Sequence, residues 1–179
     1  MKQLKQIEEF QTVFGLPPAK LEDNFPYQRR KIRLALALEE LTELAQAMGL
    51  EGTFRVMLKN TADTLIDDTN VVDKTAILDA LCDIQVVNLG TVCESGLNQV
   101  FEASFNEVHR SNMSKVCNTL EIAMASVAKY HRLGIETDYR AVGEKFVIYN
   151  KDTNKILKSI EYSAPNLQQY IDKRVILDK

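Results

Sequence analysis

The chain has 179 residues and a mass of 20.3 kDa, so a single domain over 1–179 is the expectation. Hydrophobic residues make up 45% and charged residues 26%, close to globular averages, which excludes disordered, fibrous and low-complexity classes. Twenty-two Lys and Arg against 25 Asp and Glu leave a net charge of −3, so no global cationic field is available to hold nucleic acid.

Seven Gly and four Pro are few for a protein of strands and turns, and this favours long helices. The three cysteines, Cys82, Cys93 and Cys117, lack C-x-x-C spacing, and His109 and His131 are too few for a zinc site. A reduced, cytoplasmic setting is expected. The first ten residues mix Lys and Glu at helical spacing, so neither a signal peptide nor a membrane span is expected there.

Residues 1–14 read as a short amphipathic helix, with Leu4, Ile7, Phe10, Val13 and Phe14 three or four apart and Gly15 and Pro17-Pro18 as stops. Tyr27 to Met48 is a long helical stretch closed by Gly49. Residues 53–74 carry weak periodicity and scattered Asp and Asn, which predicts an irregular insertion with one short helix. Residues 75–94 form a second apolar helix, ended by Ser95-Gly96. Further helices are expected over Gln99 to His109 and over Thr119 to Leu133, the latter stopped at Gly134. These elements make a helical core over about 1–134. In the tail of about 135–179, Lys145–Tyr149 and Lys155–Ile160 read as a β-hairpin around the loop 150–154, which must pack on helices or on a partner to be stable. Pro165 to Lys179 reads as a short helix with a frayed end.

Residues 34–48 read LALALEELTELAQAM, in which ten of fifteen are Leu, Ala or Met. A helix apolar on nearly all sides is expected to be buried. Glu39, Glu40 and Glu43 interrupt it, and at about 100° per residue all three fall within about 100° of arc, on the stripe of Ile32, Leu36 and Ala47. Residues 76–92, AILDALCDIQVVNLGTV, repeat the pattern, with eleven of seventeen apolar and Asp79 and Asp83 as the only charges, at i and i+4. Burying unpaired ions costs several kcal/mol each, and Lys and Arg are scarce in both runs. A divalent cation answers that cost. All-oxygen ligands favour Mg²⁺, or Mn²⁺, over zinc. The alternative is that these acids face solvent on helices less buried than their composition suggests.

The segment 107–115, EVHRSNMSK, gathers Arg110, Asn112 and Lys115 after the predicted helix end, a mixture suited to phosphate oxygens and base edges. Its plainer reading is capping of helix carbonyls. The cationic run Arg29, Arg30, Lys31 and Arg33 reads as a solvated helix start, with the steering of an anion as the alternative. Both histidines read as structural, and no Gly-rich phosphate loop, Ser-His-Asp order or nucleophilic Cys motif is found.

Glu39-Glu40-x-x-Glu43 followed by a second acidic helix resembles the all-α nucleoside triphosphate pyrophosphohydrolases, the MazG-like and phosphoribosyl-ATP pyrophosphohydrolase-like superfamily. DALCD at 79–83, HRSNMSK and the KILKS tail resemble its phosphoribosyl-ATP branch most, over roughly residues 27–170. The resemblance implies an all-α bundle, dimeric or tetrameric, with a small C-terminal β-hairpin. It also implies Mg²⁺-dependent cleavage of a nucleoside triphosphate to the monophosphate and pyrophosphate, with no nucleic-acid or membrane partner. Carried over, Glu40, Glu43 and Asp83 bind metal, Glu39 and Glu40 are catalytic, with Glu39 binding or activating water, and Arg110, Asn112 and Lys115 face substrate. The family's Glu-x-x-Asp on the second helix is met here by Ala80 before Asp83 and Ala76 before Asp79, so Asp79 is expected to supply the missing metal carboxylate. The 35 residues between Glu43 and Asp79 are also more than the pattern usually holds. Three functions remain open: a (d)NTP pyrophosphohydrolase for nucleotide-pool housekeeping, a phosphoribosyl-ATP pyrophosphohydrolase of histidine biosynthesis, and a non-catalytic nucleotide-binding helical dimer.

Overall fold

The computed structural model describes residues 2–16, 20, 23, 25–47 and 72–177. Among them are six helices and one two-stranded antiparallel sheet, an all-α fold with a hairpin near its C-terminus. The helices are α1 (Lys2–Val13), α2 (Tyr27–Ala47), α3 (Lys74–Glu94), α4 (Phe101–Met113), α5 (Leu120–Arg132) and α6 (Gln168–Leu177). The strands are β1 (Thr137–Val142) and β2 (Lys145–Asn150). Most of the insertion expected over 53–74 lies outside the described residues, as do Met48 and Gly49. The chain divides into two compact units, Met1–Ala19 with Val86–Lys179, and Lys20–Gln85.

In the first unit α1 and α4 run parallel, joined by side-chain pairs at a constant offset. Lys2 meets Glu102 at 3.6 Å, Gln6 donates to the Asn106 side-chain oxygen at 2.9 Å, and His109 meets Glu9 at 3.3 Å. Gly15 ends α1 with a φ of 78°, and Gly96 ends α3 with a φ of 71° while the Leu97 N–H reaches back to the Val92 carbonyl at 2.9 Å. Both are left-handed closures that glycine adopts without a Cβ clash. Thr119 caps α5 by accepting from the Ile122 N–H at 3.3 Å, and Gly134, at φ 72°, stops it as the sequence predicts.

The hairpin differs from the expectation. β2 coincides with the predicted run at 145–149, but its partner lies upstream at 137–142, paired from Thr137↔Asn150 to Val142↔Lys145. The two-residue turn is Gly143-Glu144, with Gly143 at φ 60°. A glycine first in a two-residue loop matches the right-handed twist of both strands and sets their register. Residues 155–160 form no strand. Asn150 caps the loop before them by accepting from the N–H groups of Asp152 and Thr153 at 2.9 and 2.8 Å, and only a bridge from Tyr149 to Ile156 continues the pairing.

β2 is the centre of the unit. Neighbouring strand residues point to opposite faces, and here both faces are covered. Val147 packs with Phe14 and Val116, backed by Phe10 and Val13 from α1. Ile148 packs with Cys117 and Ala123, backed by Val127 and Tyr130 from α5. Ser126 of α5, fully buried, donates to the Ile122 carbonyl at 2.7 Å and accepts from the Ile160 N–H at 3.0 Å, pinning the tail to this layer.

Two outcomes follow in urea denaturation. Ile148→Ala removes a fully buried side chain between two packed layers and costs about 2–5 kcal/mol. Gly143→Ala meets no atom within 4 Å, so its cost, about 1–2 kcal/mol, comes from the left-handed φ alone.

Candidate functional site

The predicted carboxylates all belong to the second unit. α2 starts after Pro26, whose carbonyl accepts from the Arg29 and Arg30 N–H groups at 2.9 and 3.0 Å. The Asp73 carboxylate caps α3 by accepting from Thr75 and Ala76 N–H at 2.9 and 3.1 Å, and Lys74 donates to the Asp23 carbonyl at 2.7 Å. Glu40 and Glu43 stand about 4.5 Å apart along the α2 axis, and Asp79 and Asp83 about 6 Å apart along α3.

The expected burial is not found. Glu39, Glu40, Glu43, Asp79 and Asp83 are all exposed, and so are many of the apolar residues around them, while Leu38 and Ile77 are half-buried and Ala45 is buried. Leu78 keeps 64% and Val87 69% of their surface, and Leu36, Leu41, Leu81 and Ile84 are also open. Much of the apolar surface of these helices is therefore open. Among the described residues no group of three or more His, Cys, Asp or Glu converges as a metal site. The donor chemistry itself, five carboxylates with no thiolate or imidazole among them, fits a hard divalent cation such as Mg²⁺.

Arg110, Asn112 and Lys115 belong to the first unit. α4 runs on through Met113 instead of ending near His109, because Ser114 caps it with its N–H on the Arg110 carbonyl at 3.1 Å. Arg110 and Asn112 are thus helical, and Lys115 lies just past the cap. Arg110 forks onto Glu107, Nε and Nη2 each at 2.8 Å from a carboxylate oxygen, and Nη2 also donates to the Ala164 carbonyl at 3.2 Å. The Lys115 ammonium donates to the Asn112 side-chain oxygen at 2.8 Å. Tyr162, from the tail, sits at 3.4 Å from the buried Ser111 hydroxyl with Lys158 over its ring at 4.4 Å. The bond to Ser111 and the charges of Lys158 and Lys115 lower its pKa.

Glu107 is the residue that the sequence reading passed over, although Glu-x-x-Arg at i, i+3 is a signal for it. The Arg110 guanidinium, and then the Asn166 N–H at 3.0 Å, hold its carboxyl down at about 2, against an ordinary 4.5. His109 is bonded to Glu9 at 3.3 Å and His131 to the Thr137 carbonyl at 2.9 Å.

Paired acids on two long apolar helices, in a chain built mostly of helices, agree with the all-α nucleotide pyrophosphohydrolase class. The family of phosphoribosyl-ATP pyrophosphohydrolases matches residues 7–112, more than half of the chain, and the protein belongs to that family, within the MazG-like superfamily. The match runs from within α1 through most of α4 and stops before α5, the hairpin and the tail. A protein of Acanthamoeba polyphaga mimivirus, "Uncharacterized protein L479", is 38% identical over 74 residues, 38% of this chain and 30% of that relative. The chain thus covers under a third of that relative's length. No solved structure matches the chain.

The low pKa of Glu107 fixes a pH effect. A carboxyl depressed on folding contributes stability that is complete above its unfolded value near 4.5 and is lost as pH falls towards about 2. Wild type is therefore expected to exceed Glu107→Gln in unfolding midpoint by a constant margin above pH 5, a margin that shrinks between pH 4.5 and 2.

Proposed function

We propose that the protein is a Mg²⁺-dependent nucleoside triphosphate pyrophosphohydrolase that splits a (d)NTP into the monophosphate and pyrophosphate and adjusts a nucleotide pool in the cytoplasm. What carries this reading is the exposed carboxylate face of α2, Glu39, Glu40 and Glu43, with Asp79 and Asp83 on α3, inside the segment that the family matches. Glu40, Glu43, Asp79 and Asp83 would hold Mg²⁺, or Mn²⁺ in its place. The ion supplies neutralisation of phosphate charge where the anhydride bond breaks. Glu39 or Glu40 orients the attacking water and accepts its proton. Arg110 and Lys115 offer N–H donors to phosphate oxygens, and Asn112 an amide for a base edge.

The open apolar faces of α2 and α3 support assembly with further copies of the chain, as a homodimer or homotetramer. Patches of this kind are rare on monomers. Among the described residues, one helix, α3, is long and apolar enough to cross a membrane. Asp83 would then lie near the bilayer centre at a cost of about 2.5–3.5 kcal/mol, and the family match across α3 favours a helix packed on protein.

The second reading, phosphoribosyl-ATP as substrate, is favoured by the family match itself. A pyrophosphate-release assay with Mg²⁺ that compares phosphoribosyl-ATP with the (d)NTPs separates the two, and nucleotide binding without product in any arm favours a non-catalytic dimer. In that assay Glu43→Gln and Asp83→Asn are each expected to lower turnover by about 10²-fold or more with the fold retained. Full activity in either variant contradicts the assignment. Leu81→Arg, on the open face of α3, is expected to lower the mass seen by light scattering to that of one chain.

A further inference from the structure

Two side chains of α4 and that of its C-cap residue Ser114 read the backbone of the tail. Ser114 accepts from the Ser163 N–H at 2.9 Å, Arg110 donates to the Ala164 carbonyl at 3.2 Å, and Glu107 accepts from the Asn166 N–H at 3.0 Å. Positions 107, 110 and 114 follow the i, i+3, i+7 spacing of one helix stripe, and they meet the tail in reverse order. Residues 163–166 are therefore laid antiparallel along the helix. The tail lies beyond the segment matched by the family, so this strap belongs to the rest of the chain.

At the centre of the strap, Arg110 is held on one edge only. Nε and Nη2 are committed to Glu107 and Ala164, while Nη1, with two N–H donors, has no partner among the described residues, and the side chain stays 47% exposed. Arginine forks lose less freedom per bond when they are already fixed, and a group held in its bound geometry binds more tightly because ordering is not repeated. Glu107 is itself only 12% exposed, so it faces Arg110 and the strap more than solvent.

We propose that Glu107 and the strap at 164–166 are positioning groups that hold Arg110 as a preset donor for the phosphate oxygens of a polyphosphate ligand, with Nη1 left for that ligand. This rests on the assignment of Arg110 to substrate. The strap extends that assignment to groups outside the family segment and gives the tail a part in affinity.

The test uses the full chain with ¹⁵N-labelled arginine and inorganic tripolyphosphate with Mg²⁺ as the probe. The Arg110 Nε–H resonance is expected to be protected in wild type and to stay in place as the probe is added, while the Nη1 signals move. Glu107→Gln is expected to weaken tripolyphosphate binding about tenfold and to raise KM with kcat within about twofold. Asn166→Pro, which deletes one strap N–H and leaves Glu107 paired to Arg110, is expected to weaken binding about threefold and serves if Glu107→Gln does not fold. Arg110→Ala combined with Glu107→Gln binds no more weakly than Arg110→Ala alone. Unchanged binding in both Glu107→Gln and Asn166→Pro, or in Arg110→Ala, overturns the proposal. If no nucleotide is turned over by wild type, the enzymatic reading fails, and the tripolyphosphate titration still decides this one.

Discussion

Apolar surface that carries fixed negative charge is the constraint on which the account depends. α2 and α3 are rich in Leu, Ile and Val, and many of those side chains, Leu36, Leu41, Leu78 and Val87 among them, are open. Each Å² of such surface removed from water stabilises by about 25 cal/mol, so the drive to cover it is strong. The five carboxylates limit how that is done, because a cover that buried them without a cation would cost several kcal/mol per ion. Packing by other copies of the chain together with a divalent cation relieves both demands, and this is why assembly and metal binding are proposed together.

The first unit builds a buried core around its sheet. β2 buries Val147 on one face and Ile148 on the other, and α1 and α5 cover those faces. The tail is then stitched on by side chains that pair with backbone groups, at Ser126, Ser114, Arg110 and Glu107. Such bonds give an extended segment a fixed path without a sheet ladder. The family segment takes in most of α1 and nearly all of α4 from this unit, and α5, the hairpin and the tail lie beyond it.

The helices were legible in the sequence because their signals are local. Period, Gly15, Gly96 and Gly134 placed the ends of α1, α3 and α5 within a residue or two. The hairpin was misplaced by half because the β-rich run at 155–160 outweighed a shorter signal, Val142-Gly143-Glu144-Lys145, whose turn chemistry selects the upstream partner. α4 overran its expected end because HRSNM contains no Gly or Pro, and its cap comes from Ser114. Burial on α2 and α3 was misjudged for a different reason: composition records that a surface needs cover and is silent on whether the same chain supplies it. Of the candidate site, the acid and basic residues were legible by type and spacing. The clamp of Glu107 on Arg110 was not, since one of its partners, the Asn166 N–H, arrives from 59 residues away.

Metal binding by the carboxylates is the central claim, and an anomalous difference map from crystals soaked in Mn²⁺ measures it directly. The account predicts peaks about 2.1 Å from carboxylate oxygens of Glu40, Glu43 and Asp83. Carboxylates that point into solvent with water alone around them would contradict it.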